Sequence, residues 1–436
     1  MSQRIDTLRG MHDVLHTDVH AWQSFESHVR TVMSAYGYQE LRTPILEDTA
    51  LFKRSLGEAT DIVEKEMFTF VDRDKRSIAL RPENTASCVR SAIQHGFLYQ
   101  GPQRLWCIGP MFRHEKPQKG RYRQFHQVDV EAFGFAQADI EFELIALGER
   151  LWRSLGISEQ IRLELNTLGT AEERAGYRET LVAYLTEHKT RLDEDSLRRL
   201  ETNPLRILDT KNPAMQALVA DAPKLWDNLG ESSRERFETL CAMLQAAGIE
   251  YQVSPRLVRG LDYYTHVVFE WTTDRLGAQS AVCAGGRYDG LIEQLGGRAT
   301  PGIGFAMGIE RLLLLIEACG AGVPAPRPHA SLVLLGERAG SEGMVIAERL
   351  RDAIPNLRLQ THCGGGSIKS QMKRADKSGA AFALIVGDTE LDNNSVVCKP
   401  LREDREQSAV SFDELTAALR EVVDAETNNT RGVIGG

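Results

Sequence analysis

Cysteine and long apolar runs are both scarce in this chain of 436 residues. The seven cysteines form no CxxC pair and no cluster with histidine, which argues against a zinc site and a disulfide framework. The longest apolar run, LLLLI at 312–316, is far shorter than the roughly 20 residues of a membrane-spanning helix. The opening residues, MSQRIDTLRG, contain no apolar core of a signal peptide. We therefore expect a cytoplasmic protein with reduced thiols, no metal site and no membrane association.

Positive charge is also in deficit over the chain as a whole. The formal net charge is -9, although the content of hydrophobic residues (42%) and charged residues (26%) is typical of soluble globular proteins. An acidic protein does not coat nucleic acid indiscriminately, so a polyanion must bind at discrete basic places. The chain has two such stretches, KPQKGRYR at 116–123 and SIKSQMKRADKSG at 367–379. It has no GxxxxGKS/T loop, which argues against a P-loop enzyme.

The first three quarters of the chain are predicted to form a sheet with helices around it. Apolar residues at helical spacing predict a helix over 18–36, and a second helix follows over 139–156. Strand candidates without helical period are QELRTPILE, EMFTFVD, SIALRPE, RLWCIGPMFRHE, VVFEW and GIGFAMG. Pro44 cannot donate to a strand ladder, so we expect the strand over 39–47 at an edge or an interface. Residues 170–248 are predicted to be mainly helical, and capping boxes at Thr170/Glu173 and Ser232/Glu235 mark helix starts within that stretch. The helical insertion itself is expected at about 170–225.

A second, smaller domain follows the proline-rich segment GAGVPAPRPHA, which indicates a linker. Beyond it strand and helix candidates alternate, which predicts an α/β domain with parallel pairing. A last helix is predicted to start at Ser411, with Glu414 completing a capping box. The predicted domains are therefore 1–325 and 326–424, followed by a flexible tail at 425–436.

The most concentrated positive charge lies between two predicted strands. RLWCIGPMFRHE and QFHQVDVEAFGF flank the basic loop 116–123, which indicates an antiparallel hairpin. The period of two predicts one face of the second strand that carries Phe125, Gln127, Asp129 and Glu131. An aromatic ring there can stack on a heterocycle, and arginines beside it suit phosphates. The same charge run would also suit a solvated surface.

Three other stretches carry candidate ligand-binding residues. Arg311 falls in the predicted first turn of the helix IERLLLLIEACG, where its charge opposes the helix dipole unless an anion is bound. Arg259 precedes a glycine and two tyrosines, and AGGRYDGL contains paired glycines that allow close approach of the backbone to a ligand. Each feature has an ordinary alternative: a surface ion pair, core aromatic residues, or turns.

Together these stretches resemble the histidyl-tRNA synthetases, a family of class II aminoacyl-tRNA synthetases. GYQELRTPILE is similar to class motif 1, MFRHEKPQKGRYRQFHQVDVE to motif 2 and PGIGFAMGIERLLLL to motif 3. LVRGLDYYTHVVFEW and AGGRYDGL resemble the two signatures peculiar to this family. The resemblance covers residues 4–424, and the one departure within the signature LRPENTASCVR is Asn84, where the family usually has glycine.

The resemblance implies an α+β fold with an antiparallel class II sheet core, flanking helices, a helical insertion and a C-terminal α/β anticodon-binding domain. It implies a homodimer built through motif 1. The implied activity is that of a histidine-tRNA ligase. Histidine and ATP, which enters with Mg2+, form histidyl-adenylate and pyrophosphate, and the histidyl group then passes to the 3' end of tRNA(His). No covalent nucleophile on the enzyme is needed.

For ATP, the resemblance assigns Arg113 to the α-phosphate, Phe125 to a stack on adenine and Glu115 to the amino edge of adenine. Arg311 is assigned to the γ-phosphate and Arg121 to the outer phosphates.

Arg259 is assigned to the α-phosphate as well, where charge develops as the histidine carboxylate attacks. Positive charge already in place there stabilises the transition state. Arg259 and Arg113 are thus the expected catalytic residues.

For histidine, the resemblance assigns the α-amino group to Glu83, Thr85 and Gln127. The imidazole is assigned to Glu131 and Tyr264, with Tyr263 and Tyr288 as wall residues. An imidazole offers one donor and one acceptor, so a carboxylate and a phenol can address both nitrogens. A site that leaves either unpaired would reject other amino acids strongly.

For tRNA, the basic loop contributes Lys116, Gln118 and Lys119, which are expected to meet the acceptor stem. Lys369, Lys373 and Lys377 recur every four residues on one face of a predicted helix, with Arg374 adjacent. This pattern also fits a solvated face. The resemblance favours a contact with the anticodon stem, in which lysines bound to phosphates supply affinity and not base identity.

Two other functions share parts of this pattern. A regulatory subunit of ATP phosphoribosyltransferase resembles the synthetase core but typically lacks the C-terminal domain and the intact RGLDYYT signature, both of which are present here. A class II enzyme for proline, threonine or glycine shares motifs 1 to 3 but lacks the histidyl signatures. The histidine-tRNA ligase remains the preferred hypothesis.

Overall fold

The computed structural model describes residues 4–57, 60–208, 210, 212–258, 263–277 and 280–434. Its contacts divide the chain into two compact units, Met1–Val323 and Pro324–Gly436. Each unit has a hydrophobic core of its own. Over the described ranges, no helix combines the length and the apolar character that crossing a membrane requires.

The first unit is built on strands with helices on their faces. Its strands are β1 Gln39–Glu40, β2 Leu46–Asp48, β3 Thr69–Val71, β4 Ser77–Leu80, β5 Gln103–Phe112, β6 Gln124–Phe133, β7 Arg162–Thr167, β8 Gln252–Val253, β9 Thr265–Thr272, β10 Ala281–Arg287 and β11 Gly302–Gly308. Its α-helices are α1 Val19–Ala35, α2 Thr49–Leu56, α3 Thr85–Gln94, α4 Asp139–Ser154, α5 Ala171–Glu187, α6 Glu194–Thr202, α7 Gln216–Ala220, α8 Glu231–Ala246, α9 Leu291–Gln294 and α10 Ile309–Ala318.

An eight-stranded sheet organises this unit, in the order β1-β5-β6-β11-β10-β9-β7-β8. The six inner strands pair antiparallel, whereas the edge strands β1 and β8 pair parallel with their neighbours. Val128, Val130 and Ala132 of β6 are fully buried on one face of the sheet, within the core that includes residues of α1, α4 and α10. The opposite face of the same strand is therefore free to carry polar side chains.

The predicted strand over 39–47 is wrong as a single element. The structure divides it into β1, at the edge of the large sheet, and β2, at the edge of a three-stranded sheet in the order β2-β4-β3. Pro44 lies between the two short strands, so the expectation of an edge position holds for both.

Of the two capping boxes predicted in the helical stretch 170–248, one forms and one does not. Thr170 and Glu173 form the capping box of α5. The Glu173 carboxylate also accepts hydrogen bonds from Gly230 N at 2.7 Å and Ser233 Oγ at 2.7 Å. Glu173 therefore caps the start of α8 from another helix. The N-cap of α8 is Gly230, and the predicted capping box at Ser232/Glu235 does not form.

The second unit is an α/β domain. Its strands are β12 Ala330–Leu335, β13 Leu359–Thr361, β14 Phe382–Gly387, β15 Ser395–Pro400 and β16 Ser408–Ser411, and its helices are α11 Glu337–Ala353, α12 Ile368–Lys377, α13 Asp388–Asp392 and α14 Phe412–Ile434. In the sheet order β13-β12-β14-β15-β16, β12 pairs parallel with both neighbours, whereas β15 pairs antiparallel with β14 and β16. The expected parallel pairing thus covers only one half of the sheet.

The last helix begins as the sequence predicts but continues further. Ser411 and Glu414 exchange hydrogen bonds in a capping box at its start. The helix runs to Ile434, and the flexible tail at 425–436 stays a prediction.

A buried ion pair joins α4 to the end of β10. Arg287 is 0% exposed, and its Nε donates to Glu141 Oε1 at 2.8 Å. Arg236 of α8 donates to the same oxygen at 2.9 Å. The remaining donors of Arg287 bond to Asp289 and to main-chain carbonyls, so the charge is compensated within the fold.

We expect Glu141→Ala to lower the free energy of unfolding of the first unit by about 3–5 kcal/mol, because it removes the buried carboxylate shared by Arg287 and Arg236 and leaves the part-exposed Asp289 as the remaining counter-charge of Arg287. Asp274→Ala provides the control, because the Arg162–Asp274 pair is exposed at 75% and 76% and its loss should cost less than about 1 kcal/mol. Urea unfolding measures both. Equal losses for the two variants would contradict the assignment.

Candidate active site

A cleft lies over the face of the sheet that carries Phe125, Gln127 and Asp129. Residues of β6, β10 and β11 form its floor, and the loop between β5 and β6 forms part of its rim. Its empty volume is about 1020 Å³, counted out to open solvent, a size that suits small-molecule ligands. The alternation predicted for β6 therefore produces a binding surface.

Two arginines from distant parts of the chain line one end of this cleft. Arg113 Nε donates to Pro82 O at 2.8 Å, and its guanidinium carbon lies 5.3 Å from the centroid of the Phe125 ring. Arg311 stands in the first turn of α10, as predicted, and its Nε donates to Ala281 O at 2.8 Å. Burial lowers the pKa of Arg311, and the positive charge of Arg121 lowers it further. This end of the cleft is thus suited to an anion.

The loop between β5 and β6 is held at both its base and its tip. Arg123 N donates to Gly10 O at 2.7 Å, and Arg113 N donates to Arg123 O at 2.9 Å. At the tip, Gly120 has φ +74°, and a Cβ built on it would lie 3.1 Å from Leu314 and 3.3 Å from Arg311. The loop therefore rests against α10.

Glu115 connects the basic residues of this loop. Its Oε2 accepts from Arg121 Nη1 at 3.0 Å, and its Oε1 lies 4.0 Å from Arg113 Nη1. Glu115, Arg113, Arg121 and Phe125 all line the cleft. Among the described residues, the structure thus brings together all those that the resemblance assigns to ATP.

The other end of the cleft is acidic. Glu83 accepts from the backbone N–H of Thr85 at 2.8 Å and of Ala86 at 3.0 Å, in the first turn of α3. Burial raises the pKa of Glu83, while these two N–H groups favour its ionised form. Glu83, Thr85 and Gln127, assigned to the α-amino group, line the cleft together.

Glu131 lies one layer below the cleft. It is 0% exposed and is not among the described residues that line the cavity. Thr85 Oγ1 donates to its Oε1 at 2.6 Å, and the Tyr288 hydroxyl donates to its Oε2. Burial raises the pKa of Glu131 well above its usual range. In this structure Glu131 therefore orients Thr85 and Tyr288, which do reach the cleft.

Glycines make room for this layer. Gly304 faces Glu131 across β11 and β6, and a Cβ at Gly304 would lie 1.9 Å from Glu131 Oε2. A Cβ at Gly286 would lie 2.9 Å from the Tyr264 ring and 2.7 Å from Val267 O. The paired glycines of AGGRYDGL thus serve close packing within the protein.

Three tyrosines form an aromatic wall at this end. The ring centroids of Tyr263 and Tyr264 are 4.7 Å apart, and Tyr288 stands 5.6 Å from Tyr263 and 6.4 Å from Tyr264. All three line the cleft. Burial raises the pKa of Tyr263 and of Tyr288 well above the usual range, so both phenols are neutral donors at physiological pH.

Asn84, where the family usually has glycine, fits the backbone without strain. Asn84 has φ -117°, which any residue adopts, and it is fully buried. Its Oδ1 accepts from Thr43 Oγ1 at 2.6 Å and from Arg81 Nη1 at 3.2 Å. The side chain therefore ties the segment after β1 to the start of α3.

The remaining predicted residues fall into three places. Arg259 lies outside the described residues. Lys116, Gln118 and Lys119 are exposed on the basic loop. Lys369, Lys373, Arg374 and Lys377 are exposed on α12 of the second unit, whose buried face carries Gln371 and Ala375.

The sequence analysis missed two cleft residues. Glu310 accepts from His126 N at 2.9 Å and lies 2.9 Å from His126 Nδ1, so it fixes the strand next to Phe125. Asp129 was placed on the correct face but given no role. Because Asp129 lies two residues after Gln127 on the same strand face, the sequence could have indicated a role in binding the same ligand.

The matches to family models divide the chain in the same way as its contacts. The model described as histidyl-tRNA synthetase matches residues 10–312. The model described as anticodon binding domain matches residues 329–422. The first match spans well over half of the chain, including every described residue of the cleft.

Solved structures agree with this result. The apo histidyl-tRNA synthetase of S. aureus is 35% identical, with a TM-score of 0.81, over 96% of this chain and 100% of the other. The chain belongs to the histidyl-tRNA synthetase family. It is a class II aminoacyl-tRNA ligase with the activity of a histidine-tRNA ligase. The predicted family, α+β fold and enzyme class are confirmed.

Two solved structures of lower sequence identity have a similar fold. A histidyl-tRNA synthetase of a Nostoc species has a TM-score of 0.68 at 18% identity, over 96% of this chain and 99% of the other. A protein of Bacillus halodurans, described as an ATP phosphoribosyltransferase regulatory subunit/histidyl-tRNA synthetase, has a TM-score of 0.62 at 22% identity, over 89% of this chain and 99% of the other. At these identities the likeness shows the fold alone. The regulatory-subunit alternative therefore gains no better support.

Proposed function

We propose that the cleft binds ATP at its basic end and histidine at its acidic end. The observation that carries this proposal is that Arg113 and Arg311, almost 200 positions apart in sequence, line one cavity with Glu83 and three tyrosines. The two arginines suit a triphosphate, and Glu83 with the tyrosines suits an ammonium group next to a flat heteroaromatic ring.

At the basic end, Phe125 stacks on adenine and Glu115 lies at its amino edge. Arg113 holds the α-phosphate, Arg311 the γ-phosphate and Arg121 the outer phosphates. The 5.3 Å between Arg113 and the Phe125 ring supports a phosphate next to a stacked base.

Mg2+ accompanies ATP as part of the substrate. Mg2+ prefers oxygen ligands and usually keeps phosphate oxygens and water in its shell. The cleft carboxylates Glu115 and Glu310 are each engaged with a nitrogen donor, which favours a metal carried mainly by the phosphates.

At the acidic end, Glu83, Thr85 and Gln127 bind the α-amino group of histidine. Tyr264 and Glu131 address the imidazole, with Tyr263 and Tyr288 as walls. The Tyr288 hydroxyl bonded to Glu131 supports this arrangement, because it links the buried carboxylate to the cavity surface.

The reaction has two steps. A carboxylate oxygen of histidine attacks the α-phosphorus, the bond to the bridging oxygen breaks, and pyrophosphate leaves with both electrons of that bond. The 3' hydroxyl oxygen of tRNA(His) then attacks the carbonyl carbon of the adenylate and loses its proton to solvent, the bond from that carbon to the phosphate oxygen breaks, and AMP leaves with both electrons of that bond. Arg259 and Arg113 stabilise the charge that develops at the α-phosphate.

We assign tRNA contacts to both units. Lys116, Gln118 and Lys119 meet the acceptor stem, and the basic face of α12 binds phosphates of the anticodon stem. All of these side chains are exposed, which is consistent with a macromolecular partner.

The chain is further proposed to act in the cytoplasm as a homodimer. Exposed apolar side chains in motif 1 and on β3 of the adjoining three-stranded sheet support the dimer: Ile45 is 42% exposed, Leu46 46%, Phe70 46% and Val71 67%. Several exposed apolar side chains in one small sheet region are typical of a protein interface.

We expect pyrophosphate exchange into ATP to depend on histidine. In the proposed site both nitrogens of an imidazole are paired, and other amino acids would leave buried polar groups unpaired. The measurement is ATP–pyrophosphate exchange with each of the twenty amino acids. Exchange with proline or threonine but not with histidine would overturn the substrate assignment.

We expect Arg259→Ala to reduce adenylation on the order of 10²–10³-fold while histidine binding is mostly retained, because the lost charge acts in the transition state. The nearby Arg256→Ala is the control, because Arg256 is exposed and bonds only to Gln216 among the described residues. Exchange kinetics and calorimetric binding of histidine separate the two effects. A near-normal exchange rate for Arg259→Ala would refute its electrostatic role.

We expect the triple variant Lys369→Ala, Lys373→Ala, Lys377→Ala to raise the KM for tRNA by at least about tenfold and to weaken its salt dependence, because phosphate contacts are lost. Pyrophosphate exchange needs no tRNA and should be unchanged. Lys399→Ala, also exposed in this unit, is the control. An unchanged KM for tRNA would show that the lysines form only a solvated face.

A further inference from the structure

Asp129 differs from the other carboxylates around the cleft in its hydrogen bonding. Glu83 accepts two backbone N–H groups, Glu131 two hydroxyls, Glu115 a guanidinium and Glu310 a backbone N–H. Asp129 is 1% exposed and lines the cavity, and neither of its carboxyl oxygens has a hydrogen-bond donor among the described residues. A buried carboxylate without a donor is costly unless a ligand supplies one.

The strand register explains why the protein supplies no donor. Asp129 faces Cys107 on β5 and Ala306 on β11. Neither side chain offers a strong N–H or O–H group. Two residues earlier on the same face, Gln127 Oε1 is also buried without a donor. Side chains at this spacing are about 7 Å apart along a strand, so one small cationic group can reach both.

We propose that Asp129 is a further substrate-binding residue, which accepts a hydrogen bond from the α-ammonium of the bound amino acid alongside Gln127. This inference rests on the proposed function of the cleft and adds a charge to its amino-acid end. An ammonium has three donors and a positive charge, so it satisfies the acceptors that the fold leaves open.

The electrostatic surroundings agree with a cationic ligand. Burial raises the pKa of Asp129 to about 8, and the negative charge of Glu83 contributes in the same direction. The positive charges of Arg81 and Arg113 lower the pKa of Asp129, but by less than burial and Glu83 raise it. A positive group between Asp129 and Glu83 would relieve their repulsion and favour the ionised form of both.

The test compares two ligands on two proteins. For Asp129→Asn, which keeps the shape and removes the charge, we expect the KM for histidine to rise on the order of 10- to 100-fold. The inhibition constant of 3-(imidazol-4-yl)propionate, which lacks the ammonium, should change less than about threefold, as should the KM for ATP. Asp227→Asn, an exposed aspartate away from the cleft, should change none of these.

Thermal melting separates binding from structure. Because no described residue donates a hydrogen bond to Asp129, the melting temperature of empty Asp129→Asn should be no lower than that of the unchanged protein, whereas histidine should stabilise the variant less. Equal weakening of histidine and the ammonium-free analogue, an unchanged KM for histidine, or a variant that no longer folds would overturn the inference. Absence of histidine-dependent exchange in the unchanged protein would instead refute the proposed function.

Discussion

The separation of charge along one cleft is the constraint on which the rest of this structure depends. Arg121 and Arg311 lie close together at one end, Glu83 and Asp129 lie at the other, and Arg113 is near enough to both carboxyl groups to act against the rise in their pKa. Both ends meet on β6, which supplies the stacking ring and the polar acceptors from one face. An antiparallel sheet achieves this because it brings strands from distant parts of the chain side by side. If these charged side chains lay far apart and exposed on the surface, solvent ions would screen them from one another.

Support for this surface comes from a buried layer beneath it. Glu131 has its two oxygens held by Thr85 and Tyr288, and Gly304 leaves the space that it occupies. Such a fully bonded network fixes the rotamers of the side chains above it. Asn84 extends the same layer towards motif 1 through Thr43. Ligand specificity therefore depends on residues that a ligand need not touch.

Local signals allowed much of the fold to be predicted. The period of two in β6 and the capping box at Thr170 are set by neighbouring residues, and both are confirmed. The split of 39–47 depends on which distant strands are available for pairing, and the start of α8 depends on Glu173 from another helix. The lack of a donor for Asp129 depends on cross-strand neighbours. These three features arise from tertiary contacts, which residue spacing does not encode.

The contact between the basic loop and α10 has a mechanical consequence. Gly120 allows the tip to approach Arg311 so closely that no side chain fits between them without displacement. Any other residue would be strained at φ +74°, and its Cβ would require the tip, Leu314 or Arg311 to shift by about a few tenths of an ångström. Such a shift would change the spacing between the Arg121 and Arg311 guanidinium groups, and with it the fit of one anion held by both.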